Sequence, residues 1–334
     1  MALPPSVQIT EVGARDGLQN EKQPVPAAIK IELCKRLLGA GVTSLEVTSF
    51  VSPKWVPQMA DAAQVLAGIP RSKSVRISVL TPNMKGFEGA LASGADEVVI
   101  FGAASEAFSM RNINCSIAQS IENFRPVAQA AKAHGLRLRS AVSTAFGCPY
   151  QGDVPIESVV DVVRRMRDQM GAHVTIEAGL STVFGCTIAG PVAQAAKAHG
   201  LRLRSAVSTA FGCPYQGDVP IESVVDVVRR MRDLGCDEIG IADTIGVGNA
   251  GQVKRVFEAA AREFPLAQLS GHFHDTYGQA VANVMAALET GVARFDTSIA
   301  GLGGCPYAKG ATGNVATEDV VYLLNGLGID TGID

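Results

Sequence analysis

The sequence predicts one α/β domain, residues 1–334, folded as a (β/α)8 or TIM barrel. Three observations support this prediction: the length of the chain, an alternation of strand-like and helical patterns, and polar residues placed where predicted strands end. With 334 residues, of which 47% are hydrophobic, the chain is long enough to bury one large core. Strands that alternate with helices are typical of a parallel sheet covered by helices.

Eight short segments are predicted to be strands, because they are apolar, rich in β-branched residues and bounded by turn residues. Most are separated by helical patterns. In residues 156–166, for example, the apolar positions recur at helical spacing and form one stripe. In chain order, the predicted strands are residues 7–12, 43–49, 76–81, 97–101, 136–143, 237–242, 269–274 and 294–299.

Part of the chain is duplicated. Residues 126–168 recur without a single change at 191–233, 65 positions later. Solenoid repeats usually diverge in sequence and number three or more, so this pair is not a solenoid pattern. A perfect two-copy repeat is typical of a recent duplication, an engineered insertion or a faulty gene assembly.

The surplus 65 residues add two strand-like segments, 173–178 and 202–208. Because the diameter, tilt and stagger of a closed barrel are linked, eight strands cannot simply become ten. We therefore expect eight strands, with a surplus segment within 169–233 that loops out on the helix-to-strand side. The first copy is expected to supply the fifth strand, since it continues a helix that begins near Ser116. The alternatives are a distorted barrel or a chain that folds poorly.

Charge and cysteine content narrow the class of protein. The net charge is −3 and no run of Lys or Arg stands out, which argues against nucleic acid or an anionic membrane as the main partner. The apolar runs are far shorter than a membrane span, and the first residues lack the pattern of a targeting peptide. The seven cysteines are scattered and form no CxxC pair, so we expect a reduced, cytoplasmic location.

Polar residues follow or lie in five of the predicted strands. In (β/α)8 enzymes the active site lies in the loops at the carboxyl ends of the strands, so this placement predicts an enzyme. In chain order the residues are Arg15 and Asp16, Glu46, Asp243, His272 and His274, and finally Cys305 and Asn314.

The stretch GHFHDTYG places two histidines in one strand. Residues two apart in a strand share a face, so His272 and His274 point the same way, while Phe273 suits the apolar helix layer. With the carboxylate of Asp16 and the amide oxygen of Asn314, they form a mixed set that favours Mg²⁺ or Mn²⁺ over structural zinc. The alternative is a pair of core histidines hydrogen-bonded to neighbours; the paired spacing favours the metal.

Three further residues are candidates for the site. Glu46 lies in an apolar strand, where an unpaired carboxylate is costly; it is expected to pair with Arg15, a histidine or the metal region, as a structural ion pair or as a catalytic group. Asp243 either caps the next helix or belongs to the site. Cys305 lies in a Gly-rich loop typical of a lid, which favours a chemical role over an inert buried thiol.

Several motifs together resemble the 3-hydroxy-3-methylglutaryl-CoA lyases, a family of metal-dependent TIM-barrel lyases related to acyl-CoA aldolases. The resemblance covers residues 5–330 apart from the surplus segment, and the duplication departs from the family pattern. The lid motif and the HxHD strand are specific, whereas RDG and ADTIG are shared with related Claisen-type enzymes. The motifs are GARDGLQNE, TSFVSPKWVPQMAD, GHFHDTYGQA and AGLGGCPYAKGATGNVATEDV.

The resemblance implies retro-Claisen cleavage of an acyl-CoA substrate to acetyl-CoA and acetoacetate, with Mg²⁺ or Mn²⁺ as cofactor and a homodimer as one possible assembly. It further implies a role in leucine degradation or ketone-body metabolism. The metal ligands would be Asp16, His272, His274 and Asn314. Arg15 would stabilise the enolate, Cys305 would transfer a proton, and Glu46 and Asp243 would support the site and the substrate hydroxyl.

Two other functions remain open. One is a related aldolase or condensing enzyme acting on another acyl-CoA or on a 2-oxo acid. The cysteine in the lid favours the lyase over such synthases. The other is an inactive duplication variant that binds metal weakly or serves only as a scaffold.

Overall fold

A single parallel sheet forms the centre of the molecule, with helices packed on its outer side. This computed structural model of the chain describes residues 3–19, 21–103, 105–143, 150, 158, 161–162, 165–166, 175–177, 204–207, 209–212, 217–233, 236–304 and 312–334. The strands are β1 (Gln8–Glu11), β2 (Ser44–Ser49), β3 (Arg76–Leu80), β4 (Glu97–Ala103), β5 (Arg137–Ser143), β6 (Thr175–Glu177), β7 (Arg204–Val207), β8 (Glu238–Asp243), β9 (Leu269–Phe273) and β10 (Arg294–Thr297).

The strands are hydrogen-bonded in the order β6-β5-β4-β3-β2-β1-β10-β9-β8-β7. Every described pairing is parallel. The sheet curls so that β6 and β7, at its two ends, come close to each other. Parallel strands bring their carboxyl ends to one side of such a sheet, which is where the predicted site residues were placed.

Helices connect most of the strands. Four of them begin with a side chain that accepts the backbone N–H three residues on, which satisfies one free donor of the first turn; these residues are Asn83, Ser105, Ser116 and Asn249. The helices described are α1 (Ala27–Gly39), α2 (Ala62–Gly68), α3 (Met84–Ala92), α4 (Glu106–Ile113), α5 (Ile117–Ala133), α6 (Ile221–Asp233), α7 (Ala250–Ala260), α8 (Ala280–Thr290) and α9 (Thr317–Gly326).

The apolar stripe predicted for residues 156–166 is visible in its second copy. In α6 the equivalent residues Val224, Val228 and Met231 are buried in the core. Within the part of the chain that the structure describes, no helix has the length and apolar character needed to cross a membrane.

Both copies of the repeat contribute a strand, so the prediction of eight strands with a looped-out segment within 169–233 was wrong. β5 belongs to the first copy, as expected, and pairs with β4; β7 belongs to the second copy and pairs with β8. β6 comes from the segment between the copies and pairs with β5. The surplus residues therefore extend the sheet to ten strands.

The reason for the difference is that the limit on strand number applies to a closed cylinder. Among the described residues, no hydrogen-bonded pair joins β6 to β7, so this sheet keeps two ends. The second copy has the same strand-forming sequence as the first, and pairing with β8 satisfies its backbone donors and acceptors. An open end can accept a further strand where a closed barrel cannot.

Candidate active site

The predicted site residues that the structure describes lie along one end of the sheet. β1 continues into a single π-helical turn, Gly13–Gly17, which carries Arg15 and Asp16. β8 ends at Asp243, and β9 runs directly into His274. The carboxyl ends of β1, β8 and β9 therefore present these side chains to a common region, as the sequence predicted.

Arg15 links two carboxylates. Its Nη1 lies 2.8 Å from Asp16 Oδ1 and its Nη2 lies 2.8 Å from Glu46 Oε2. Burial by itself raises the pKa of Glu46, but the nearby guanidinium groups of Arg15 and Arg139 lower it below the usual value. Glu46 is thus held as a carboxylate, and the predicted pairing of Glu46 with Arg15 is confirmed.

The guanidinium of Arg15 keeps its charge and one unused donor. Burial alone lowers the pKa of Arg15, and the two carboxylates beside it outweigh that effect and raise the pKa above its ordinary value. Its Nε is buried and has no hydrogen-bond partner among the described residues.

The two histidines of the HFH stretch share the inner face of β9. Phe273, between them, contacts the rings of Phe257 on α7 and of Phe295 on β10. It therefore faces the helix layer, as predicted. Because neighbouring residues in a strand alternate, His272 and His274 point to the opposite side, toward the interior of the curled sheet.

The outer nitrogen of each imidazole faces an oxygen. His274 Nδ1 lies 2.9 Å from the carbonyl oxygen of Thr312, which can only accept, so Nδ1 carries the hydrogen. His272 Nδ1 lies 3.4 Å from Asp296 Oδ2, which favours the same tautomer. Burial, together with the neighbouring ring of His272, lowers the pKa of His274 to about 4, so this ring is neutral near pH 7. The Nε2 atom of His274 is then left with a lone pair.

The two Nε2 atoms point at each other. They are 3.3 Å apart, a separation at which two lone pairs repel unless a proton or a cation lies between them. Two nitrogens about 2.1 Å from one metal ion, at an angle of roughly 90–110°, lie about 3.0–3.4 Å apart. Ligand histidines also usually donate their other N–H to a carbonyl or a carboxylate; His274 lies 2.9 Å from such a carbonyl, and His272 lies 3.4 Å from a carboxylate. The pair therefore fits two ligands of one cation.

The oxygen ligands are less closely assembled. The carboxylate of Asp16 is near enough to raise the pKa of His274 electrostatically. Asn314 is buried and pairs through its backbone with His274. Its Nδ2 donates to the carbonyl oxygen of Leu302 at 3.1 Å, so Oδ1 is the atom of this amide that could bind a cation. Within the described ranges, no group of three or more His, Cys, Asp and Glu side chains is already arranged to hold a metal.

Asp243 serves the turn that follows it. Its two carboxylate oxygens accept the backbone N–H groups of Val247 at 3.0 Å and Gly248 at 2.9 Å. Burial raises the pKa of Asp243 to about 6, although these hydrogen bonds and the nearby ring of His272 lower it. The next helix, α7, is capped by Asn249, so the helix-capping role considered for Asp243 was wrong; its oxygens hold the turn before that helix, and the residue borders the site through His272.

Cys305, the predicted lid cysteine, lies outside the described residues, as do 306–311. Sequence reasoning missed three groups of the site: Asp296, Arg139 and the carbonyl of Thr312. Asp296 pairs in register with His272 across β9 and β10. Its strand, RFDT, alternates partly exposed and buried residues, so the argument applied to Glu46 would not have found it. Nothing in the sequence pointed to a backbone carbonyl as a histidine partner.

Comparisons with known proteins identify the relatives of the chain. The family model described as HMGL-like matches residues 6–183 and 173–334, so each match contains one copy of the repeat. A Pseudomonas aeruginosa protein named 3-hydroxy-3-isohexenylglutaryl-CoA/hydroxy-methylglutaryl-CoA lyase is 48% identical, over 100% of this chain and 90% of its own length. The mitochondrial hydroxymethylglutaryl-CoA lyase of Gallus gallus is 44% identical, again over 100% of this chain and 90% of its own.

The fold agrees with these relatives. The crystal structure of hydroxymethylglutaryl-CoA lyase from Pseudomonas aeruginosa superposes with a TM-score of 0.64 at 48% identity, covering 100% of this chain and 90% of that one. The resemblance noted in the sequence motifs is confirmed, and the chain belongs to the HMGL-like family.

Proposed function

We propose that this chain is a carbon–carbon lyase that cleaves 3-hydroxy-3-methylglutaryl-CoA to acetyl-CoA and acetoacetate with Mg²⁺ or Mn²⁺. The observation that carries the proposal is the pair of inward-facing imidazole nitrogens, 3.3 Å apart, beside the charged cluster of Arg15, Asp16 and Glu46. The names of the relatives support the substrate class.

In this proposal four residues hold the cation. His272 and His274 supply nitrogens, Asp16 a carboxylate and Asn314 its amide oxygen. A divalent cation at this place would polarise substrate oxygens and favour the ionised form of the tertiary hydroxyl. In this proposal Asp296 and the Thr312 carbonyl keep the two rings oriented, because the carbonyl accepts a hydrogen bond from His274 Nδ1 and the carboxylate lies 3.4 Å from His272 Nδ1.

Arg15 would act on the second half of the reaction. Breaking the C–C bond leaves its electron pair on the acetyl-CoA fragment as an enolate. A fixed guanidinium beside the thioester oxygen would stabilise that developing charge. Glu46 orients the guanidinium, and Cys305 is proposed to supply the proton that the enolate carbon takes up.

Formation of acetoacetate from the CoA ester tests this function. We expect turnover that requires Mn²⁺ or Mg²⁺ and is abolished by EDTA. His274→Ala is expected to remove both turnover and the Mn²⁺-dependent rise in melting temperature, since a ligand that binds only the folded state stabilises it. His134→Ala, at an exposed histidine beyond α5, is the matched control and should retain both. Undiminished turnover in His274→Ala would exclude that ring as a ligand.

The substrate could differ within the same class. The name of the Pseudomonas aeruginosa relative includes a longer isohexenyl ester, so both esters should be compared by kcat/KM. Condensation without cleavage would instead favour an aldolase or synthase. A cytoplasmic location and a homodimer are parts of the proposal that rest on the sequence alone.

A further inference from the structure

Glu11, the last residue of β1, is a completely buried carboxylate with three protein donors. Its Oε1 accepts the backbone N–H of Gly13 at 2.7 Å and that of Ile299 at 3.1 Å. The hydroxyl of Thr317 donates to Oε2. The residue is 0% exposed, so it reaches neither solvent nor substrate. It does not belong to the predicted site.

The first donor belongs to the turn that carries two site residues. Gly13 begins the π-helical turn, and Arg15 and Asp16 follow two and three positions later. The hydrogen bond from Gly13 to Glu11 fixes the start of this turn relative to β1. Any displacement of that start would carry the guanidinium and the carboxylate with it.

The other two donors belong to the segments around Asn314. Ile299 begins the segment after β10, in which the Leu302 carbonyl accepts the Asn314 amide. Thr317 begins α9, three residues after Asn314. One carboxylate therefore connects the turn bearing Asp16 with both segments that hold the amide.

The turn and the segment after β10 are packed without spare room. A Cβ on Gly13 would lie 2.6 Å from Glu11 Oε1 and 2.7 Å from Ser298 Oγ. A Cβ on Gly17 would lie 2.6 Å from Leu302 Cβ. The turn and the segment after β10 are therefore in direct contact beside the carboxylate of Glu11. A shift of that carboxylate would move both segments.

We propose that Glu11 is a positioning residue that sets the distance between Asp16 and Asn314, and so the size of the cation site between them. The inference rests on the proposed function and adds to it a residue that never touches substrate or cation. Glu11 acts through the positions of its two carboxylate oxygens, which accept hydrogen bonds from the three donors. Its negative charge is not the essential property, because Oε1 alone accepts both backbone donors.

The test compares Glu11→Gln and Glu11→Ala with Cys34→Ala. The Gln amide oxygen can still accept from Gly13 and Ile299, and its Nε2 can donate to Thr317, whose hydroxyl can then donate to Thr297, 2.6 Å away. Cys34 is buried and close enough to Glu11 for the carboxylate to raise its pKa. Its truncation controls for a general loss of core packing nearby.

Two readouts do not depend on turnover. One is Mn²⁺ affinity, measured from the electron paramagnetic resonance signal of the free ion during a titration. The other is backbone amide hydrogen exchange in Gly13–Gly17 and 299–304. Glu11→Ala should weaken Mn²⁺ binding about 10- to 100-fold, as loss of an outer-shell group commonly does, and should speed exchange in both segments. Glu11→Gln should stay within about threefold of the unaltered chain in Mn²⁺ affinity. Cys34→Ala should lower the melting temperature without changing Mn²⁺ affinity.

The results that would overturn the proposal are specific. Unchanged Mn²⁺ affinity and exchange in Glu11→Ala would refute it, and so would equal losses in the Gln and Ala variants, since charge would then matter more than geometry. If Glu11→Ala fails to fold, Thr317→Val, which removes one donor and keeps the volume, must reproduce the faster exchange at 299–304. If the unaltered chain binds Mn²⁺ but does not cleave the ester, the proposed function fails and the positioning test stands.

Discussion

The pKa of His274 couples the candidate site to pH. Burial, with a further effect from the neighbouring His272 ring, lowers this pKa from 6.5 to about 4 in the folded chain. The unfolded chain therefore takes up this proton at a higher pH than the folded chain does. The contribution of the neutral ring to stability is fully present above pH 6.5 and is lost progressively as the pH falls toward 4.

This effect predicts a pH-dependent difference between the unaltered chain and His274→Ala, measured without metal by urea unfolding. The free energy of unfolding of the unaltered chain, relative to the variant, should fall by on the order of 3 kcal/mol between pH 7 and pH 4. Asp243 changes the free energy of unfolding with pH in the opposite direction, because its pKa is raised to about 6. Both proteins contain Asp243, so its contribution cancels when the two free energies are subtracted. A difference that does not vary with pH would show that His274 titrates normally.

At this scale the sequence predicts the types and faces of the site residues and the pairing of Glu46 with Arg15, but not the partners of the two histidines. The two-residue spacing was sufficient to place His272 and His274 on one face and Phe273 on the other. Their tautomers depend on Asp296 and Thr312, which reach β9 from elsewhere in the chain. Such partners follow from the packing of whole strands, so no local pattern reveals them.

At the scale of elements, the turn after β1 and the segment after β10 form one packed unit. Gly17 lies against Leu302 with no space for a side chain, and a Cβ there would also lie 3.2 Å from Ser298 Oγ. The Leu302 carbonyl in turn holds Asn314. Motion of either element would therefore change the site, although neither Gly17 nor Leu302 is a candidate ligand.

Gly17→Ala tests this coupling. The added methyl should force the two elements apart and destabilise the chain by about 1–3 kcal/mol, as overpacking commonly does, with weaker Mn²⁺ binding. The matched control is Gly39→Ala at the end of α1, where nothing lies within 4 Å of the added atom. That change should leave stability within about 1 kcal/mol or increase it, because Ala favours helix. Equal effects of the two substitutions on Mn²⁺ affinity would argue against the coupling.

The strands and several helix starts were predictable because local patterns specify them. All eight predicted strands form, and Ser116 caps α5 as the start expected there. The two surplus segments also form strands, as β6 and β7. The local pattern could not predict where β6 and β7 lie in the sheet, because their places depend on which neighbouring strand has an unpaired edge.

At the scale of the whole molecule, the two repeat copies divide between them two pairings that one strand could make alone. Residues 139–142 and 204–207 have the same sequence, RSAV. The first set pairs with β4 and the second with β8. In the strand order, β4 lies on one side of β5, whereas β8 lies on the opposite side of β7, so the two copies use different edges of the same strand sequence. A single copy could make both pairings at once. The sheet would then close as β1-β2-β3-β4-β5-β8-β9-β10.

Deletion of 169–233 tests this closure. Because the copies are identical, removing 126–190 instead gives the same shortened sequence, so the product does not depend on which copy is called the insertion. The shortened chain should melt at a higher temperature, because the open edges at β6 and β7 are removed and β5 pairs with β4 on one side and with β8 on the other. Its Mn²⁺-dependent rise in melting temperature should be at least as large. A lower melting temperature would contradict the shared-edge account.

The central claim is that His272, His274, Asp16 and Asn314 converge on one cation. Anomalous diffraction at the manganese edge, from crystals grown with Mn²⁺, measures this directly. We expect one strong peak within bonding distance of both Nε2 atoms, of a carboxylate oxygen of Asp16 and of Asn314 Oδ1. A peak elsewhere, or two imidazoles hydrogen-bonded to each other with no ion between them at saturating Mn²⁺, would contradict it.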